Sequence, residues 1–170
     1  TIVTITNSSF QDNTALNGGA IYIGDVSDLF IYNSCFENNS CFEAGSAKGG
    51  AIYMGRSSNV TIDNCSFSNN SSLDDGGAIA MVTGEGSFGS RTTLLNISNS
   101  LFTSNSASDD GEHIYADEQS SRQGEIIIDE TTFSVSGDDL SQRTLGEVSF
   151  TITNSGSPSR TNITPQAGSN

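Results

Sequence analysis

Tryptophan is absent, and 170 residues carry one histidine, two prolines and three cysteines. No apolar run is long enough to cross a bilayer as a helix. Lys and Arg number 6 against 20 Asp and Glu, a formal net charge of −14. A chain of that sign repels phosphate backbones and acidic headgroups, which argues against nucleic acid as a partner and against membrane insertion by this segment. Cys35, Cys41 and Cys65 lack a metal-ligand spacing, and His113 is the single imidazole that could join them. Their odd number leaves several arrangements open: one disulfide with a spare thiol, a bond to a partner outside this stretch, or buried free thiols. There is no initiator Met and no secretory leader, and residues 1–6 already have strand character. A piece of a longer or processed polypeptide is therefore expected.

Repetition is what the chain has. Phe10, Asn13 and Gly18-Gly19-Ala20-Ile21 return as Phe36, Asn39 and Gly49-Gly50-Ala51-Ile52. They return again as Phe67, Asn70 and Gly76-Gly77-Ala78-Ile79. A fourth copy has drifted to Phe102, Asn105 and Gly111-Glu112-His113-Ile114, and a fifth keeps only Phe133. Seven and five residues before each Phe stand paired apolar residues, such as Val3 and Ile5 or Val60 and Ile62, the alternation of a half-buried strand. Three before it comes Asn7, Asn33, Asn64 or Asn99, with Glu130 in the fifth copy. The Phe residues are spaced by 26, 31, 35 and 31, and the surplus sits in polar segments near 41–48 and 83–91. No useful length has helical periodicity.

Two short strands per copy cannot bury an apolar face alone. Stacking the copies gives each inward side chain a like neighbour about 4.8 Å away. Phe10, Phe36, Phe67, Phe102 and Phe133 then form one column. The asparagines form two ladders, Asn7, Asn33, Asn64 and Asn99 in one and Asn13, Asn39, Asn70 and Asn105 in the other, with amides bonding donor to acceptor. The pattern predicts an all-β parallel β-helix of five to six rungs over residues 1–154. Residues 155–170, rich in Ser, Thr, Gly and Pro, are expected to be a polar linker or frayed tail.

The alternation of Phe-x-x-Asn with Gly-Gly-Ala-Ile resembles the repeat of the chlamydial polymorphic outer-membrane proteins, within the pectin-lyase-like superfamily. Three copies match and a fourth partly, over roughly residues 1–116. The resemblance implies a right-handed helix and an extracellular, adhesin-like surface.

Candidate sites each have a plain alternative. Asn-x-Ser/Thr triplets occur at Asn7, Asn38, Asn59, Asn64, Asn69, Asn70, Asn96 and Asn162. They suggest N-glycosylation in a secreted protein, although Asn and Ser are also common in solenoid turns. Asn7, Asn64 and Asn70 belong to the ladders and are expected to stay bare. Asn38, Asn59, Asn69, Asn96 and Asn162 fall outside the inward columns and are the acceptor candidates. Asp74-Asp75 and Asp109-Asp110 recur at matching places and would stack. Such carboxylates could hold Ca²⁺ with loop carbonyls, or be two solvated acidic turns; the latter is the favoured reading, and no other cofactor is implied. Tyr22, Tyr53 and Tyr115 share a column interrupted by Ala80, expected on the outer face as a docking stripe or as ordinary strand residues. His113 stands where other copies have Ala and reads as a drifted motif position. The six basic residues do not keep register with the Asp pairs, so no catalytic set is assigned. The expectation is a non-enzymatic extracellular or cell-surface rod for filament assembly or adhesion, its partners being further β-helix rungs and glycans. The alternative is a carbohydrate-binding or polysaccharide-cleaving β-helix.

Overall fold

In a computed structural model the described residues are 1–25, 27–42, 48–83, 92–109, 111–118, 124–134, 140–144, 148–153 and 163–167. Each sequence copy forms one coil of short strands. The first coil holds β1 (Ile2–Thr6), β2 (Ser9–Gln11), β3 (Thr14–Ala15) and β4 (Ile21–Ile23). The second holds β5 (Asp28–Tyr32), β6 (Cys35–Glu37), β7 (Ser40–Cys41) and β8 (Ile52–Met54). The third holds β9 (Asn59–Asp63), β10 (Ser66–Ser68), β11 (Ser71–Ser72) and β12 (Ile79–Thr83). The fourth holds β13 (Thr93–Ser98), β14 (Leu101–Thr103), β15 (Ser106–Ala107) and β16 (Ile114–Glu118). Beyond them lie β17 (Gly124–Asp129), β18 (Thr132–Ser134), β19 (Leu140–Thr144), β20 (Val148–Thr153) and β21 (Ile163–Ala167).

Equivalent strands pair in parallel from coil to coil and build four sheets. Their orders are β1-β5-β9-β13-β17-β20, β2-β6-β10-β14-β18, β3-β7-β11-β15 and β4-β8-β12-β16-β19-β21. This is a parallel β-helix of five coils and part of a sixth. The sequence repeat sets the register: Ile31, Ile62, Ile97 and Ile128 are successive partners across the first sheet. Within β9, Val60 and Ile62 are buried while Asn59, Thr61 and Asp63 are partly exposed, the alternation a pleated strand requires. The Phe column stacks at strand spacing, with ring centroids 4.8, 4.7 and 4.7 Å apart from Phe10 to Phe102 and planes within 6°. Nearly eclipsed rings are not the arrangement free aromatics prefer; backbone pairing imposes it.

The Gly-Gly pair lies where the coil turns back against its neighbour. Gly49 has φ +72°, a region that L side chains rarely enter. A Cβ on Gly50 would overlap the carbonyl oxygens of Gly77 and Ser71 on the next coil.

The expected tail needs correction. Ile163–Ala167 pairs with β19 as the edge strand of the fourth sheet. Strand pairing needs only backbone donors and acceptors, and Pro165 is tolerated because an edge strand need not use every N–H. Asn162 lies outside the described residues, as do the surplus segments 43–47 and 84–91. Among the described residues no helix is long and apolar enough to cross a membrane.

Candidate functional site

The two short turns in each coil carry the polar repeats, and both need a left-handed residue. At the first corner, between the first two sheets, Asn7, Asn33, Asn64 and Asn99 have φ of 50°, 50°, 52° and 48°. Asn tolerates this region better than other residues bearing a Cβ. These four side chains are exposed, which corrects the expectation that this ladder faces inward. The reason is the positive φ itself, which selects Asn for its backbone and leaves the amide outside. Some axial bonding remains: the Asn64 amide donates to Asn33 Oδ1 at 2.8 Å. On the next coil the Asn99 amide and the Ser98 hydroxyl both reach Asp63 Oδ1 at 2.7 Å. Those two bonds, Asn99 first, hold the Asp63 carboxyl below its ordinary range.

Behind the asparagines runs a column absent from the sequence reading: Ser8, Ser34, Cys65, Ser100 and Thr131. Each hydroxyl donates to the carbonyl two residues back, as Ser34 Oγ does to Tyr32 at 2.9 Å and Ser100 Oγ to Ser98 at 2.7 Å. Ser34, Ser100 and Thr131 also accept from the preceding coil, as in Ser8 N–H to Ser34 Oγ at 3.1 Å. Cys65 is the thiol version, its Sγ 3.3 Å from the Asp63 carbonyl while its N–H donates to Ser100 Oγ. Cys41 likewise stands beside Ser72, Sγ to Oγ 3.2 Å, and Cys35 beside Ser9 at 3.1 Å. All three cysteines are free thiols, one of the arrangements left open above, and the candidate disulfide among them is not formed. They occupy three different columns in which neighbouring coils carry small or hydroxyl residues. Burial pushes the thiols of Cys41 and Cys65 up, which keeps them protonated and unreactive near neutrality.

Together these columns line a shallow groove of about 630 Å³ that follows the axis along the first corner. Its walls are the amides of Asn7, Asn33, Asn64 and Asn99, with Ser9, Cys35, Ser66 and Leu101 opposite. The lining side chains carry no formal charge. They offer amide and hydroxyl donors and acceptors repeated from coil to coil.

The second corner holds the inward ladder. Asp12, Asn38, Asn69 and Ser104 take the left-handed conformation, with φ of 55°, 55°, 54° and 52°, and the next residue turns in. Asn13, Asn39 and Asn70 donate their amides to Oδ1 of Asn39, Asn70 and Asn105 at 2.9 Å each. Asn39 and Asn70 each donate a second time, to the carbonyls of Phe10 and Phe36. Their Oδ1 atoms also accept the backbone N–H of the preceding coil's asparagine. A buried amide bonded in this way leaves no polar atom stranded.

His113 ends this ladder. The fifth coil has no matching Asn, and the Asn105 amide meets His113 Nδ1 at 3.1 Å. A donating amide requires Nδ1 to accept, so the imidazole is neutral with its proton on Nε2. Burial agrees, pushing the His113 pKa down to about 4. The ring also tilts against Phe102 and Phe133, whose own stack loosens to 5.1 Å and 22°.

On the fourth sheet, Tyr22 is 62 % exposed and stacks on Tyr53 at 4.9 Å. Tyr115 is fully buried, so the aromatic stripe does not run along the outer face as expected. Lys48 explains part of this. Its ammonium lies 4.7 Å from the centre of the Tyr115 ring and 2.9 Å from Asp75 Oδ2. Asp75 therefore has a lysine as a partner. Asp109 N–H donates to the Asp74 carbonyl at 3.0 Å, so those two do stack through backbone; Asp110 lies outside the described residues. Among the described residues no group of three or more His, Cys, Asp or Glu side chains could hold a metal ion.

The glycan candidates divide by position. Asn38 and Asn69 are exposed at the second corner, whereas Asn59 and Asn96 lie half-buried on outward positions of β9 and β13. Asn70 is fully buried in the ladder.

No curated protein and no solved structure matches the chain. A family model described as "Right handed beta helix region" matches residues 1–162. With its parallel sheets stacked coil on coil, the chain belongs to the right-handed β-helix family.

Proposed function

We propose that this chain is a non-enzymatic structural segment of an extracellular or cell-surface protein, a β-helix rod that serves adhesion or filament assembly. The observation that carries this reading is the use made of the repeated polar side chains. The asparagines, serines and cysteines that recur in register bond mainly along the axis and hold one coil to the next. Exposed acceptor triplets at Asn7, Asn38, Asn64 and Asn69 favour a secreted, N-glycosylated protein. The resemblance of the Phe-x-x-Asn and Gly-Gly-Ala-Ile motifs to the chlamydial polymorphic outer-membrane repeat points to a surface role as well. The first coil adds an apolar opening of about 230 Å³ lined by Val3, Ile5, Ile21 and Leu29 among others, a surface suited to another β-helix coil.

The test has two arms. Secretory expression followed by intact mass before and after N-glycan release is expected to show glycans lost on release; an unmodified mass would remove the glycoprotein reading. Sedimentation and electron microscopy of the purified protein are expected to show end-to-end assemblies; strictly monomeric particles at all concentrations would count against the filament role.

The corner groove favours a second reading, a carbohydrate-binding or carbohydrate-cleaving β-helix. Its uncharged amides and hydroxyls suit neutral sugars better than acidic ones, given the net charge of −14. Incubation with neutral and acidic polysaccharides, with and without Ca²⁺, separates the readings. Absence of both binding and new chain ends would leave the structural role.

A further inference from the structure

Three of the large apolar side chains exposed among the described residues fall in one column. Leu16, Phe42 and Leu73 are 52 %, 53 % and 48 % exposed. Their backbones place them on consecutive coils just past the third sheet: Phe42 N–H donates to the Ala15 carbonyl and Leu73 N–H to the Cys41 carbonyl, both at 3.3 Å. Scattered exposed leucines need no explanation, but a continuous row does. The row ends at Ser108, whose N–H donates to the Ser72 carbonyl at 3.2 Å. Asp74 and Asp109 follow Leu73 and Ser108 and stack on each other beside the row. Lys48, the basic residue of this turn region, is bound to Asp75 and Tyr115.

We propose that the Leu16–Phe42–Leu73 ridge is a docking surface for a basic amphipathic helix of another protein, laid along the rod. Two features select that occupant. The coils recur about every 4.8 Å. Apolar residues at i, i+3/i+4 and i+7 on a helix advance about 5 Å per step. An extended strand, whose like-facing residues recur at about 6.8 Å, fits less well. The charge is the second feature: Asp74 and Asp109 beside an apolar row, on a chain of net charge −14, attract Lys and Arg on the helix flanks and repel a second copy of this chain. The proposal gives a partner to the surface role above. Its test uses the purified chain, so it can fail while the extracellular reading stands, and the reverse.

The probe is a labelled synthetic helix with Leu at i, i+3, i+4 and i+7 and Lys on its flanks, followed by fluorescence anisotropy. A peptide with Glu for Lys and one with Ala for Leu are the controls. Binding of the Leu/Lys peptide is expected to be about tenfold or more tighter than that of either control. The double variant Phe42→Ser with Leu73→Ser, its fold checked by thermal melting, should lose about the same factor. Asp74→Asn with Asp109→Asn should weaken binding and flatten its salt dependence. Equal binding by the Ala-for-Leu peptide, or no effect of the serine double variant, would overturn the proposal in favour of unspecific charge attraction. A wild-type dimer at micromolar concentration that the serine double variant makes monomeric would overturn it in favour of a second copy.

Discussion

The second and third coils differ from the fourth and fifth in one respect that orders the rest. In the second and third, the Phe and Asn columns have a like neighbour on both sides. Phe36 and Phe67 lie 4.7 Å apart with planes 2° from parallel, and Asn39 and Asn70 have all amide positions bonded. In the fourth and fifth, the Asn column stops at Asn105, His113 replaces the inward Ala, and the Phe stack opens to 5.1 Å. A ladder of amides cannot simply end inside a protein, because its last donor would be buried without an acceptor. The imidazole supplies that acceptor, and its larger ring displaces the aromatic column next to it. The drift of the repeat at His113 is therefore a terminus of the ladder, and not a loss of it.

The comparison can be tested by substitution, taking the largest expected effect first. Phe67→Ala removes a ring held on both faces and should cost about 4 kcal/mol. Phe133→Ala, in the loosened stack, should cost about 1 kcal/mol less; equal losses in denaturant melts would show that the two regions pack alike. Acidification should find the ladder's end next. Because the folded pKa of His113 is depressed to about 4 from 6.5, the unfolded chain binds the proton first. The stability from neutral His113 is fully present above pH 6.5 and is lost as pH falls from 6.5 to about 4. The loss approaches about 3 kcal/mol if the whole shift is realised. His113→Gln should remove that step from a melting-temperature profile, and a profile unchanged by the substitution would deny the histidine this role.

Asn70→Ala, in the intact ladder, should cost about 3 kcal/mol by stranding partners on two coils, against about 1 kcal/mol or less for the exposed Asn13→Ala. Hydrogen exchange would localise the difference to the second coil, where the Asn39 N–H loses its acceptor. The smallest effect is expected from Cys65→Ser, within about 0.5 kcal/mol, since serine holds the same column at Ser34 and Ser100. A large loss there would mean that the thiol does something its hydroxyl neighbours do not.

Much of this was legible beforehand because identical side chains at a repeating interval can meet only by stacking. The Phe column, the Asn13–Asn105 ladder and the parallel register all follow from that. The Asn7–Asn99 column misled because Asn recurs for two physical causes: an inward amide that needs partners, and a left-handed corner that needs an Asn backbone. Spacing does not separate the two. The three cysteines invited a disulfide because sequence counts sulfur atoms, whereas the hydroxyl column at Ser34, Cys65 and Ser100 explains one of them as a serine equivalent. The ridge at Leu16, Phe42 and Leu73 stands six residues after each Phe, but spacing alone does not say that these side chains face outward.

By itself, then, the sequence determined the all-β class, the number of coils and the registers within sheets, because periodicity of two within strands and recurrence between copies leave little alternative. Only the tertiary structure decided which side of each column faces solvent. It also decided that Lys48 reaches two coils along the rod to Tyr115, and that His113 closes the ladder. Those outcomes depend on backbone angles at the corners and on contacts between coils 27 to 38 residues apart, as between Lys48 and Asp75 or Asn105 and Phe67. A linear pattern carries neither.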